Sequence, residues 1–194
     1  MTDFQLYFLS GLWHVISLNG LDHIFFLAML ALPYTFKDWR QVLLLATLFT
    51  IGHTMTLALS VYIFGPVNSG PVEFLIALTI LITALYNIFR PGKGSANNLN
   101  FAAIMALFFG IVHGLGFGKD FRMLVAGNPG NTFITLVEFT LGLEAAQLIV
   151  VLCVLLIGLT VTNVLKVNRR DWLLVLSAFV AGIAAMYLTE RRFW

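Results

Sequence analysis

Residues 132–162 read TFITLVEFTLGLEAAQLIVVLCVLLIGLTVT, a run in which Glu138 and Glu144 are the only charged side chains. About 20 predominantly apolar helical residues suffice to cross the hydrocarbon core of a bilayer. This run exceeds that length, so its surroundings are lipid and its two carboxylates need explaining. The rest of the chain agrees. Hydrophobic residues make up 60% of the 194 and charged residues 10%, at a mean hydropathy of +0.94. A soluble domain keeps roughly a quarter of its residues charged.

A backbone in hydrocarbon must hydrogen-bond to itself, in helices or in a closed barrel. Long continuous apolar runs, rather than short alternating ones, exclude the barrel. The spanning candidates are residues 20–35, 41–64, 72–90, 101–118, 132–162 and 172–190, preceded by a shorter apolar segment at 4–18. The expected fold is all-α, a polytopic transmembrane helical bundle forming a single domain over residues 1–194. It has six full spans plus a short or re-entrant N-terminal helix, seven helices in all. Asn19-Gly20 is a break signal between the first two segments, and broken backbone at depth is tolerated where it faces a cavity. The longest loop is expected between residues 118 and 131.

Alternation along these segments gathers Lys37, Arg40, Arg90, Lys93, Lys166, Arg169 and Arg170 on one side, and Lys119, Arg122, Arg191 and Arg192 on the other. The richer side is expected to be cytoplasmic, with the C-terminus outside. The net charge of +2 is too small and too dispersed for a nucleic-acid partner. Cys153 stands alone, which leaves no disulfide framework and no CxxC metal site. Met1-Thr2-Asp3-Phe4 lacks the basic opening of a cleavable signal peptide, so the first helix is expected to be retained.

All four histidines, His14, His23, His53 and His113, lie inside these apolar stretches, with Asp22, Glu73, Glu138 and Glu144 in or beside them. Ionisable groups in hydrocarbon persist when they pair, line a wet cavity or bind an ion. Asp22 and His23 are adjacent, about 100° apart on a helix, and share one ion only if the chain bends there. Asp22 is otherwise a helix-start residue. Thr50, His53, Thr54 and Leu57 share one helix face, where hydroxyls could also serve as interhelical glue. His113 sits beside a four-residue repeat, Gly110, Gly114 and Gly118, that lets a neighbouring helix approach. Glu73 follows Pro71 closely enough for a first-turn role. Glu144 lies deep in its segment, one turn before Gln147, and needs a cation, a proton or a strong donor.

These residues fall into an ordered pattern. The chain resembles the HupE/UreJ family of bacterial membrane proteins over about residues 8–155. The resemblance rests on G-x-x-H at 11–14, G-x-D-H-x-x-F at 20–26, F-T-x-x-H-[ST]-x-T-L at 49–57, E-x-x-I-A-L-[ST] at 73–79, F-G-x-x-H-G-x-G-F at 109–117 and a final F-x-x-G-x-E-x-x-Q at 139–147. Two departures stand out: seven residues separate His14 from Asp22 where about five are expected, and Thr140 replaces an asparagine. The resemblance implies a multi-pass inner-membrane protein with a role in nickel or cobalt handling; in such a membrane the charge asymmetry places the C-terminus in the periplasm. The expected metal residues are His14, Asp22, His23, His53, His113 and Glu144, supported by Thr54, Glu73 and Gln147.

Three functions fit these features. A transporter for a divalent transition metal, nickel, cobalt or zinc, uses imidazole for affinity and carboxylate for charge. An intramembrane zinc-dependent hydrolase acting on a lipid or membrane peptide would use a three-ligand ion to activate water, with Glu144 or Glu73 as base. A structural subunit would spend the histidines on helix–helix bonds alone. The partners expected are the metal ion and the lipid bilayer; the oligomeric state is not legible.

Overall fold

The computed structural model describes residues 3–65, 67–89, 99–126 and 131–193. Among them every regular element is helical: α1 (Asp3–Ile16), α2 (Leu21–Ala31), α3 (Trp39–Leu59), α4 (Ser69–Phe89), α5 (Leu99–Ala126), α6 (Thr132–Asn163) and α7 (Arg169–Glu190). The seven helices of the all-α expectation are present, but the crossing length is shared out differently. α3 to α7 are each long and apolar enough to cross a membrane. α2, expected as a full span, has 11 residues, which at 1.5 Å each reach only about 16 Å of the roughly 30 Å core. Together with α1 it forms a pair bent by 69°, which counts as a sixth span only if read as one broken segment. The long loop expected after residue 118 is mostly helix, because α5 runs to Ala126. Residues 90–98, with Arg90 and Lys93, and residues 127–130, all expected in loops, lie outside the described residues.

The bend has a local cause. After α1 the chain makes a 3₁₀ turn at Leu18–Gly20, with Ser17 N–H donating to Trp13 O at 3.0 Å and Gly20 N–H to Ser17 O at 2.8 Å. These bonds satisfy two of the backbone donors across the break, as an apolar setting demands. Any side chain at Gly20 would collide with the carbonyls of His14 and Val15. Glycine is required there by closeness.

Packing among the long helices follows small residues. α3 lies closely on α5, where a Cβ on Gly110 would strike the Phe49 carbonyl and one on Gly52 the Leu107 carbonyl. α1 lies on α6 in the same manner, through Gly11 against Phe139 and Gly142 against Phe8. Lipid tails are as apolar as leucine, so such intimate backbone contact is what holds helices together in a membrane. α3 ends in a π-helical turn, Ser60–Phe64, closed by Gly65 at φ 74°. The Ser60 carbonyl accepts from Gly65 N–H at 3.1 Å and from Arg122 Nη1 of α5 at 2.7 Å. At the other end Arg169 Nη2 donates to Pro33 O at 2.6 Å, which puts the start of α7 beside the end of α2, as the alternation requires. Only 28% of the most apolar window of α6 and 22% of that of α7 is buried, so these two helices carry much of the lipid-facing surface.

Gly110→Ala should therefore push α3 from α5 and lower the melting temperature in detergent, at a cost of about 1–3 kcal/mol. Gly182→Ala, where nothing lies within 4 Å of the added carbon, should leave melting unchanged or raise it slightly. Equal melting of the two variants would refute close approach as the force between α3 and α5.

Candidate metal centre

Four helices deliver the histidines to one place. His14 ends α1, His23 opens α2, His53 sits in the C-terminal half of α3 and His113 near the middle of α5. The bend between α1 and α2 folds His14 back on His23, their ring centroids 4.7 Å apart. His53 lies 5.6 Å from His14 and 5.7 Å from His23. His113 is 5.1 Å from His23. One ligand atom each from His14, His23 and His53 falls within 4.8 Å of the others. His14 thus joins the group despite its longer spacing in the chain.

The walls are aromatic. His14 packs on Phe117, centroids 3.8 Å apart, with Phe139 behind it at 5.8 Å. His113 lies against Phe49 and Phe26 at 5.1 and 5.5 Å. His23, His53 and His113 are buried. Both ring nitrogens of His23 and of His53, and Nε2 of His14 and of His113, are buried without a hydrogen-bond partner among the described residues. Buried polar atoms are almost always satisfied; here six nitrogens of one group of rings are without a partner among the described residues. Glue between helices would show them bonded to neighbours. Among the described residues only the His113 ring is hydrogen-bonded, and that bond stays within α5, Nδ1–H donating to the Phe109 carbonyl at 2.8 Å. A carbonyl can only accept, so this bond fixes the tautomer and leaves the lone pair on Nε2, the form a ligand histidine needs.

The carboxylates go elsewhere. Asp22 does not cap its helix with its side chain; Oδ2 pairs with Arg191 Nη1 at 2.9 Å, while Oδ1 is buried and unpartnered. Glu144 faces α3, accepting from Thr47 Oγ1 at 2.7 Å and from Thr50 Oγ1. It is not among the residues whose ligand atoms converge on the histidine group. Glu73 is exposed near the start of α4, and Glu138 is half-buried in the first turns of α6. Thr54 shares a 3.1 Å hydrogen bond with Thr140, so the residue that departs from the family's asparagine ties α6 to α3. Gln147 is wholly buried with both amide atoms unpartnered.

Two residues that matter here escaped the sequence reading. Thr47 shares a helix face with Thr50 at i, i+3, a signal that was available once Glu144 was known to need donors. Arg191 lies 169 residues from Asp22, and no local pattern links them.

The model of the HupE / UreJ protein family matches residues 1–191. The chain belongs to this family. No curated protein and no solved structure matches it. Membership makes this HupE/UreJ protein a multi-pass membrane protein related to nickel and cobalt transport. A buried group of histidines is compatible with that role.

In this HupE/UreJ protein, Thr50→Val removes one of two hydroxyls on Glu144. The double variant Thr47→Val/Thr50→Val leaves the carboxylate without either. The single change should cost about 1–3 kcal/mol and the double change more, read as melting temperature in detergent. A double variant as stable as the parent would show that the threonines are not what holds Glu144.

Proposed function

We propose that this HupE/UreJ protein moves a divalent transition-metal ion of the nickel and cobalt type across the bacterial inner membrane, through a site inside the bilayer. The observation that carries the reading is the convergence of His14, His23 and His53, from three different helices, at a bend in the chain. Imidazole is a good ligand for Ni²⁺, Co²⁺ and Zn²⁺. Binding sites of many secondary transporters lie where helices are interrupted at mid-depth, and residues 17–20 are such an interruption.

In this reading His14, His23 and His53 are the ligands. Asp22, next to His23, supplies negative charge, and His113 stands beside the group with its lone pair already oriented. The ligand atoms lie within 4.8 Å of one another, near enough for small side-chain adjustments to bring all three onto one ion, since nitrogens about 2.0–2.1 Å from a tetrahedral ion lie roughly 3.4 Å apart. A hydrolase would need a carboxylate free to act as base beside the ion. Glu144 is engaged by Thr47 and Thr50, and Glu73 is exposed on α4, so the arrangement favours transport. The cation-rich side, with Lys37, Arg40, Lys166, Arg169 and Arg170 among the described residues, faces the cytoplasm in this reading. The end of α7 and the C-terminus then face the periplasm.

The test is Ni²⁺ entry into proteoliposomes loaded with a metal-responsive dye. The parent protein should admit the ion, and His14→Ala, His23→Ala and His53→Ala should each reduce entry to the level of empty vesicles. His113→Ala should weaken binding about 10–100-fold, the usual cost of losing a residue that supports the ligands. Entry unaffected in all three ligand variants would sink the shared site. A parent protein that admits no ion but retains zinc through a chelator wash would point to the hydrolase.

A further inference from the structure

An ion pair next to His23 in the chain joins the start of α2 to the residue after α7. Asp22 Oδ2 accepts from Arg191 Nη1 at 2.9 Å, with side chains 17% and 24% exposed respectively. Asp22 precedes His23 directly, and its second oxygen, Oδ1, is buried without a partner among the described residues. Both charges lie within electrostatic reach of the His113 ring. Arg191 is itself held at the end of α7: its backbone N–H donates to the Tyr187 carbonyl at 2.9 Å. Its guanidinium lies over the Tyr187 ring at 4.5 Å. Two residues on, Phe193 packs edge-on against Phe74 of α4, centroids 5.6 Å apart. The end of α7 is thus fastened to α2 by charge and to α4 by an aromatic contact.

The consequence for a cation follows from charge balance. Three neutral imidazoles supply donor electrons and no charge, so a divalent ion in this apolar surrounding calls for a carboxylate; Asp22, the residue before His23, stands next to the group in the chain, although its oxygens are not among the ligand atoms that fall within 4.8 Å of one another. That carboxylate already has a cation. Resting on the metal-site reading above, we propose that Arg191 is a positioning residue for the metal site: a resident counter-cation of Asp22 that an arriving divalent ion must displace. Loading the site therefore weakens the tie at the end of α7, and emptying it restores the tie. Arg191 lowers affinity for the ion, and it couples occupancy of the histidine group to release of the segment after α7. No bond is made or broken covalently; the carboxylate exchanges one cationic partner for another.

Isothermal titration of the full-length purified protein with Ni²⁺ provides the first readout. Arg191→Gln should bind Ni²⁺ about tenfold more tightly than the parent, equivalent to about 1.4 kcal/mol. Arg191→Lys, which keeps the charge, should stay close to the parent. A residue that merely braced the fold would give the opposite sign, since its loss would loosen the site. The second readout is maleimide labelling of Arg192→Cys in a Cys153→Ser background. Labelling should accelerate on adding Ni²⁺ when Arg191 is present; with Arg191→Gln it should be fast from the start and unaffected by the ion.

The outcomes separate cleanly. A parent protein that binds no Ni²⁺ overturns the metal-site reading and this inference with it. A parent that binds, alongside an Arg191→Gln variant that binds equally or more weakly, overturns this inference alone. Should Arg191→Gln fail to fold, the Arg192→Cys protein still decides the matter: labelling indifferent to Ni²⁺ refutes the displacement.

Discussion

Backbone in hydrocarbon has no water to fall back on, so a break in a helix must satisfy itself or not occur. The turn at residues 17–20 meets that constraint with two short backbone bonds and a glycine pressed against the carbonyls it passes. Everything distinctive about the centre depends on it. Had α1 and α2 been one straight helix, His14 and His23 would lie nine residues and about 13 Å apart along the axis. The bend closes this to rings 4.7 Å apart, and α3 and α5 need only present their own histidines to the corner.

α3 does the presenting, and it works on two faces. Gly52 lets it press on α5, while Thr47, Thr50 and Thr54 bond to Glu144 and Thr140 of α6. His53 lies between these two sets of contacts, one residue after the glycine and one before a threonine. Its position is over-determined by close packing on one face and charge-assisted hydrogen bonds on another. This fixes the imidazole without using its ring nitrogens, which stay unpartnered. The same economy holds at His113, whose single bond to its own helix leaves Nε2 available.

Much of this was legible from the chain alone. Solvent, helix type, the Asn19-Gly20 break and the histidine set follow from runs of apolar residues and from the cost of imidazole in lipid. What resisted reading is what no local pattern encodes. Hydropathy cannot distinguish a half-length α2 from a full span, because Leu32 continues the apolar run past the helix end at Ala31 and no charge follows before Lys37. It also stops α5 too early at Lys119, since a charged residue in the last turns of a helix looks like a loop. Glu144 was read as facing the ion because a deep carboxylate suggests a cation. A pair of hydroxyls satisfies it as well, and only the register between α3 and α6 decides. Asp22 and Arg191 meet only through the full topology.

The phenylalanines around the histidines have an effect separate from packing. Phe26, Phe49, Phe117 and Phe139 offer no oxygen to an ion. On the reading proposed above, an ion that enters trades its hydration for a few nitrogens among rings that return nothing. A small hard ion such as Mg²⁺ parts with water reluctantly and prefers oxygen, so the exchange is a loss for it. A borderline ion with an appetite for imidazole recovers what it gives up. Discrimination on that reading rests on the apolar wall as much as on the ligands.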